Sequence, residues 1–151
     1  MRVLYHGNCF DGCVSAALFS AFYRTTYGAD VNLEYKGLTH GPRGPLSEDI
    51  FGADENVIVD FRYSESSQLT WWFDHHHSAF HSDEARTHYE QRAPEQFIFD
   101  DRAPSCAGLL ARSLAAQHGF DTSQFADLIE WAECIDSASF KDAETAVMLP
   151  E

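Results

Sequence analysis

Three apolar runs in this chain each end in a side chain that can bind a metal ion. Val3-Leu4-Tyr5 ends at His6 and leads into Asn8, Asp11 and Gly12. Val57-Ile58-Val59 ends at Asp60, and Trp71-Trp72-Phe73 runs into Asp74-His75-His76-His77. Ligands of open α/β sheets gather at the carboxyl ends of parallel strands, so these three endings can form one site. His6, Asp11, Asp60, His75 and Asp136 are all of ligand type. Brought together, their carboxylates would repel one another and raise each other's pKa unless cations lay between them. Mixed imidazole and carboxylate donors suit Mn²⁺ best, with Mg²⁺, Co²⁺ or Zn²⁺ as alternatives. Two such ions sharing a carboxylate can generate hydroxide and clamp the attacking and leaving oxygens of a phosphoryl transfer.

Each residue also has a plainer reading. His6 at a strand end can be structural, and Asp11 before Gly12 can be turn chemistry or a helix cap. Asp60 can cap the segment after its strand, and consecutive histidines can be an incidental tract. Asp136 falls near a helix C-terminus, where its charge opposes the helix dipole, which favours a role other than capping. The joint pattern carries the metal reading.

The elements that must position these groups alternate between strand and helix. Strands are expected near Val3–His6, Val31–Tyr35, Val57–Phe61, Leu69–Phe73 and Phe97–Phe99. A helix is expected from Cys13 to Tyr27, where Val14, Ala17, Leu18, Ala21 and Phe22 recur at helical spacing before Gly28. Residues 37–56, rich in Gly and Pro, read as a loop with one helical turn at Leu46–Phe51. The polar stretch 78–95 reads as surface helix or loop. A helix over Cys106–His118 follows Pro104 and Ser105 and closes at Gly119, and another spans Ser123–Cys134 with Phe125, Leu128, Ile129 and Ala132 inward. Residues 143–151 read as the start of a following helix. The expected architecture is one α/β domain over 1–151: a doubly wound, five-stranded parallel sheet in the order 2-1-3-4-5, with helices on both faces.

Composition narrows the partners. With 151 residues, 44% apolar and 14% aromatic, the chain can bury a core. No run of about 18 apolar residues is present, so a membrane partner is not expected. The N-terminus reads as a first strand rather than a secretion signal, and the four cysteines show no zinc-type spacing, as expected of reduced thiols in a cytoplasmic protein. The formal charge of −14, with only ten basic residues, argues against long nucleic acid as a partner.

Asp74-His75-His76 resembles the motif that names the DHH phosphoesterase superfamily. His6-Gly7-Asn8-Cys9-Phe10-Asp11-Gly12 resembles that superfamily's first motif, in its Asn-Cys variant. Val59-Asp60-Phe61 resembles the second and Asp136-Ser137-Ala138 the fourth, while Ser105-Cys106-Ala107-Gly108 fits the opening of the later helix. The motifs stand in family order across nearly the whole chain. The resemblance implies His6, Asp11, Asp60, His75 and Asp136 as metal ligands for two ions, Mn²⁺ by preference, with Asp60 bridging. It implies His76 as a phosphate contact or proton donor, Asp74 as the partner that orients an imidazole, and Asn8 and Ser105 as substrate contacts.

The chain departs from the family in two ways. Cys9 stands where many members have a further aspartate; it can ligate as a thiolate or be simply a small buried residue. No C-terminal closing domain, with the basic groups it brings to the substrate, is visible in the sequence, so the chain reads either as an excised catalytic domain or as a minimal protein that relies on oligomerisation. The function implied is a metal-dependent phosphohydrolase acting on a small phosphate ester or anhydride, such as a short nucleotide or polyphosphate, by attack of a metal-bound water. The alternative is a DHH-like domain that binds metal or nucleotide without turnover. Specificity is expected to reside on the loop 37–56 and on the absent domain.

Overall fold

The computed structural model describes residues 1–41 and 44–147; Leu149 and the rest of the expected terminal helix beyond Val147 lie outside them. Five strands form one parallel sheet in the order β2-β1-β3-β4-β5, with β1 Arg2–His6, β2 Glu34–Leu38, β3 Asn56–Val59, β4 Leu69–Asp74 and β5 Phe97–Phe99. The helices are α1 Phe10–Tyr27, α2 Asp83–Tyr89, α3 Cys106–His118, α4 Ala126–Asp136 and α5 Ala143–Val147. No described helix is long and apolar enough to cross a membrane.

The twofold alternation of a strand sorts the central residues into two cores. Val3, Val57, Val59, Trp71 and Phe73 face α1 and α3, where Leu18, Phe19, Phe22, Leu110 and Leu114 meet them. Leu4, Ile58 and Trp72 face the other side, under Ile50, Phe51, Tyr63 and Ala85 of α2. Strands β3 and β4 are covered on both faces, which explains why they read as unbroken apolar runs. Leu69 shares a core with Trp72 because the β3–β4 register shifts between Asn56 and Val57. There the Thr70 hydroxyl donates to the Asn56 carbonyl at 2.8 Å and accepts from its N–H at 3.0 Å.

Two expectations need correction. The second strand starts three residues later than Val31, at Glu34, because its register is set by pairing of Arg2 with Glu34 through His6 with Leu38. Val31 and Leu33, whose alternation suggested a strand, pack on the core just ahead of this exposed edge. Leu128, expected inward on the fourth helix, is 42% exposed, whereas Ala132 is fully buried. Helix α4 begins only at Ala126, after a 3-10 turn at Ser123–Phe125, so its phase differs from a continuous helix.

The order 2-1-3-4-5 reverses direction between β1 and β3, which opens a crevice at their carboxyl ends. Helix α1 starts hard against one side of that crevice. A Cβ added to Gly12 would lie 2.3 Å from the His6 carbonyl oxygen and 2.9 Å from the His6 Cβ. Gly12→Ala is therefore expected to destabilise the fold by about 3 kcal/mol, since backbone must move to admit it. Denaturant unfolding of the metal-free protein reads this directly; a change within about 0.5 kcal/mol would show that the helix start is not fixed against β1.

Candidate metal centre

The three strand ends meet. His6 closes β1, Asp60 follows β3, and Asp74 ends β4 with His75 and His76 just beyond. Asp60 leaves its strand with φ +57°, in the left-handed region, while its N–H still donates to the Phe73 carbonyl at 2.9 Å. The other two non-glycine residues with positive φ, among those described, are Asn8 and Ala138, which lie within the first and last motifs. Backbone held in this region outside glycine clusters at functional sites.

Asp60 is fully buried and neither of its carboxylate oxygens has a hydrogen-bond partner. Imidazoles surround it: His6 Nδ1 at 3.4 Å, His75 Nε2 at 3.6 Å and His76 Nδ1 at 3.8 Å. Burial works against its charge, but His6 and His75 outweigh it and hold Asp60 down at about 2. Asp11, in the first turn of α1, is pushed up to about 7 by burial and by the Asp60 charge. Its oxygens accept from the N–H groups of Cys106 at 2.6 Å and Ala107 at 2.8 Å, so Asp11 ties α1 to the start of α3.

His75 is oriented from behind. Its Nδ1 donates to the Ala103 carbonyl at 2.9 Å, leaving the buried Nε2 directed at three carboxylates. That nitrogen lies 3.6 Å from Asp11, 3.6 Å from Asp60 and 3.2 Å from Asp136. Burial disfavours the imidazolium, but Asp136 and Asp60 override it and raise His75 to about 11 without a cation. Asp74 does comparable work for His76: its Oδ1 accepts from the His75 and His76 N–H groups at 2.8 and 3.3 Å and pairs with His76 Nδ1 at 2.7 Å.

Two groups of donor atoms result, His6–Asp60–His76 and Asp11–Asp60–His75, each with its atoms within 4.8 Å of one another. They share Asp60. Asp136, with its side chain 26% exposed, joins through His75 alone among these contacts. Cys9 is in neither group. It occupies the N-cap position of α1, and burial together with the charges of Asp60 and Asp11 raises its thiol to about 11. The Ser105 hydroxyl accepts from the Gly108 N–H at 2.9 Å and caps α3 from a fully buried position. Asn8 is exposed at the crevice edge, and His77, 86% exposed, pairs with Asp101.

A pocket of about 430 Å³ opens beside Asp60, Asp74 and His76, and its remaining wall includes His40, Arg62 and His81, which sequence reasoning did not assign. The signal was partial: His40 stands just past the end of β2, and Arg62 is two residues beyond Asp60. A larger depression of about 520 Å³ on α4, lined by Asp127, Glu130, Trp131 and Cys134, is reached by none of the site residues. No family model, curated protein or solved structure matches the chain.

Proposed function

We propose that this chain is a metal-dependent phosphoesterase domain of the DHH type, acting on a small phosphate ester or anhydride. The observation that carries the reading is the pair of donor groups joined by Asp60, whose buried carboxylate oxygens lack hydrogen-bond partners, as do His6 Nδ1 and His75 Nε2. Buried polar atoms are ordinarily paired, and orphans converging on one point fit a bound cation. The donor chemistry, imidazole and carboxylate without thiolate, fits Mn²⁺ better than a structural zinc. Two divalent ions there would activate a water and neutralise charge on the transferring phosphoryl group.

The chain's own residues divide the remaining work. Asp60 spans both donor groups, His6 completes one, and Asp11 and His75 complete the other, with Asp136 beside His75. His76 stands on the pocket side, fixed by Asp74, where its imidazole can contact a substrate oxygen or pass a proton to a leaving group. Its membership of the His6 group also supports a direct role in holding an ion.

A screen of pyrophosphate, short polyphosphate, a nucleoside bisphosphate, dinucleotides and a generic phosphodiester with Mn²⁺ tests the reading. Sustained turnover of at least one substrate, abolished by His75→Ala, is the expected result. Stoichiometric metal without turnover of any substrate would leave a binding domain instead.

A further inference from the structure

The pocket beside Asp60 and His76 is also lined by an arginine and two further histidines, in a chain with 24 acidic and ten Lys or Arg residues. Arg62 lines it, its guanidinium carbon 5.8 Å from the Phe61 ring centre. His40 lies flat on the same Phe61 ring at 5.1 Å and edge-on to His6 at 4.7 Å. His81 adds a buried Nδ1 without a hydrogen-bond partner, and Ser78 adds a hydroxyl. The acidic residues lining the pocket, Asp60 and Asp74, lie against His6 and His76. The cavity thus combines donor atoms suited to divalent cations with further N–H donors, of which the Arg62 guanidinium carries fixed positive charge. A neutral ligand has no use for both. An oxyanion does, because its oxygens can face cations on one side and charge-assisted N–H donors on the other.

We infer that Arg62 and His40, backed by His81, form the surface that grips the phosphate group of the substrate, beside the metal-binding donors. This rests on the phosphoesterase reading and extends it. The phosphate-gripping groups then come from the loops after β2 and β3 of this domain, and need not be brought by a separate closing domain. Phe61 holds both groups in place: it stacks on His40 and lies under Arg62.

Calorimetric titration with inorganic phosphate, on Mn²⁺-loaded and on metal-free protein, tests the inference. Arg62→Gln is expected to weaken phosphate binding at least about tenfold and His40→Gln at least about threefold, with bound Mn²⁺ unchanged by elemental analysis. Arg62→Lys, which keeps the charge but not the fork, should fall between, and Arg112→Gln on the outer face of α3 should match the unmodified chain. Should Arg62→Gln fail to fold, the lysine and His40 variants decide. Unchanged phosphate affinity in the folded pocket variants, or a metal-loaded chain that binds no phosphate, would overturn the inference. Failure of the phosphoesterase reading shows separately, as absence of retained Mn²⁺ or of turnover. The metal-free series still reads the Arg62 dependence in that case.

Discussion

Asp60→Asn is expected to remove at least one of two bound divalent ions and to lower Mn²⁺-dependent hydrolysis by about a thousandfold, roughly 4 kcal/mol of barrier. The magnitude follows from position. Asp60 is the one residue common to both donor groups, so losing its charge weakens both sites at once, while loss of Asp136 touches only the His75 side. The substitution is nearly isosteric, and asparagine tolerates the left-handed backbone that Asp60 adopts at φ +57° better than other side chains do. The N–H of residue 60 keeps its bond to Phe73, so the turn after β3 should survive. Elemental analysis after dialysis, circular dichroism and the phosphohydrolase assay together separate loss of charge from loss of fold. Full metal occupancy with undiminished turnover would remove Asp60 from the site and the proposed function with it.

What could be read in the sequence is what strand periodicity and local punctuation encode. Trp71, Trp72 and Phe73 are buried on alternating faces of a covered strand, so their run ends where the core ends, and a ligand at that point is exposed to the crevice. Ser105 followed by an apolar helix pattern and Gly119 bounds α3 correctly for the same reason, since both caps are local. The bounds of the edge strand escaped because pairing with β1, rather than its own side chains, determines where β2 lies. His40, Arg62 and His81 escaped because each stands on an irregular segment, and only the folded loops bring them to one pocket. Asp11 shows a further limit. Its sequence position is compatible with both capping and ligation, and its carboxylate caps α3 rather than its own helix while also facing His75.

Stability of the metal-free protein is expected to fall as pH rises from about 4 to 8, and Mn²⁺ to abolish that fall. The sign follows from the two groups that hold protons more tightly when folded. Asp11 moves from the ordinary 3.8 of an aspartate up to about 7, so its contribution is complete below 3.8 and is lost on the way to 7. That difference corresponds to about 4 kcal/mol as an order of magnitude. His75, raised from 6.5 to about 11, contributes fully below 6.5 and loses part of that contribution by pH 8. Asp60 runs the other way, but its contribution is lost only as pH falls from 3.8 toward about 2, below this window. Divalent cations replace those protons at the same atoms, so binding releases them and is favoured at the higher pH. The increase in Tm on adding Mn²⁺ should then be small at pH 5 and about 10 °C or more at pH 8. The overall charge of −14 also disfavours the compact state as carboxylates ionise, so Asp11→Asn serves as the control. It should flatten the metal-free slope between pH 4 and 7 while leaving that general repulsion nearly intact. A metal-free protein as stable at pH 8 as at pH 5 would mean that the buried carboxylates tolerate their charge without cations, and the electrostatic case for a metal centre would fail.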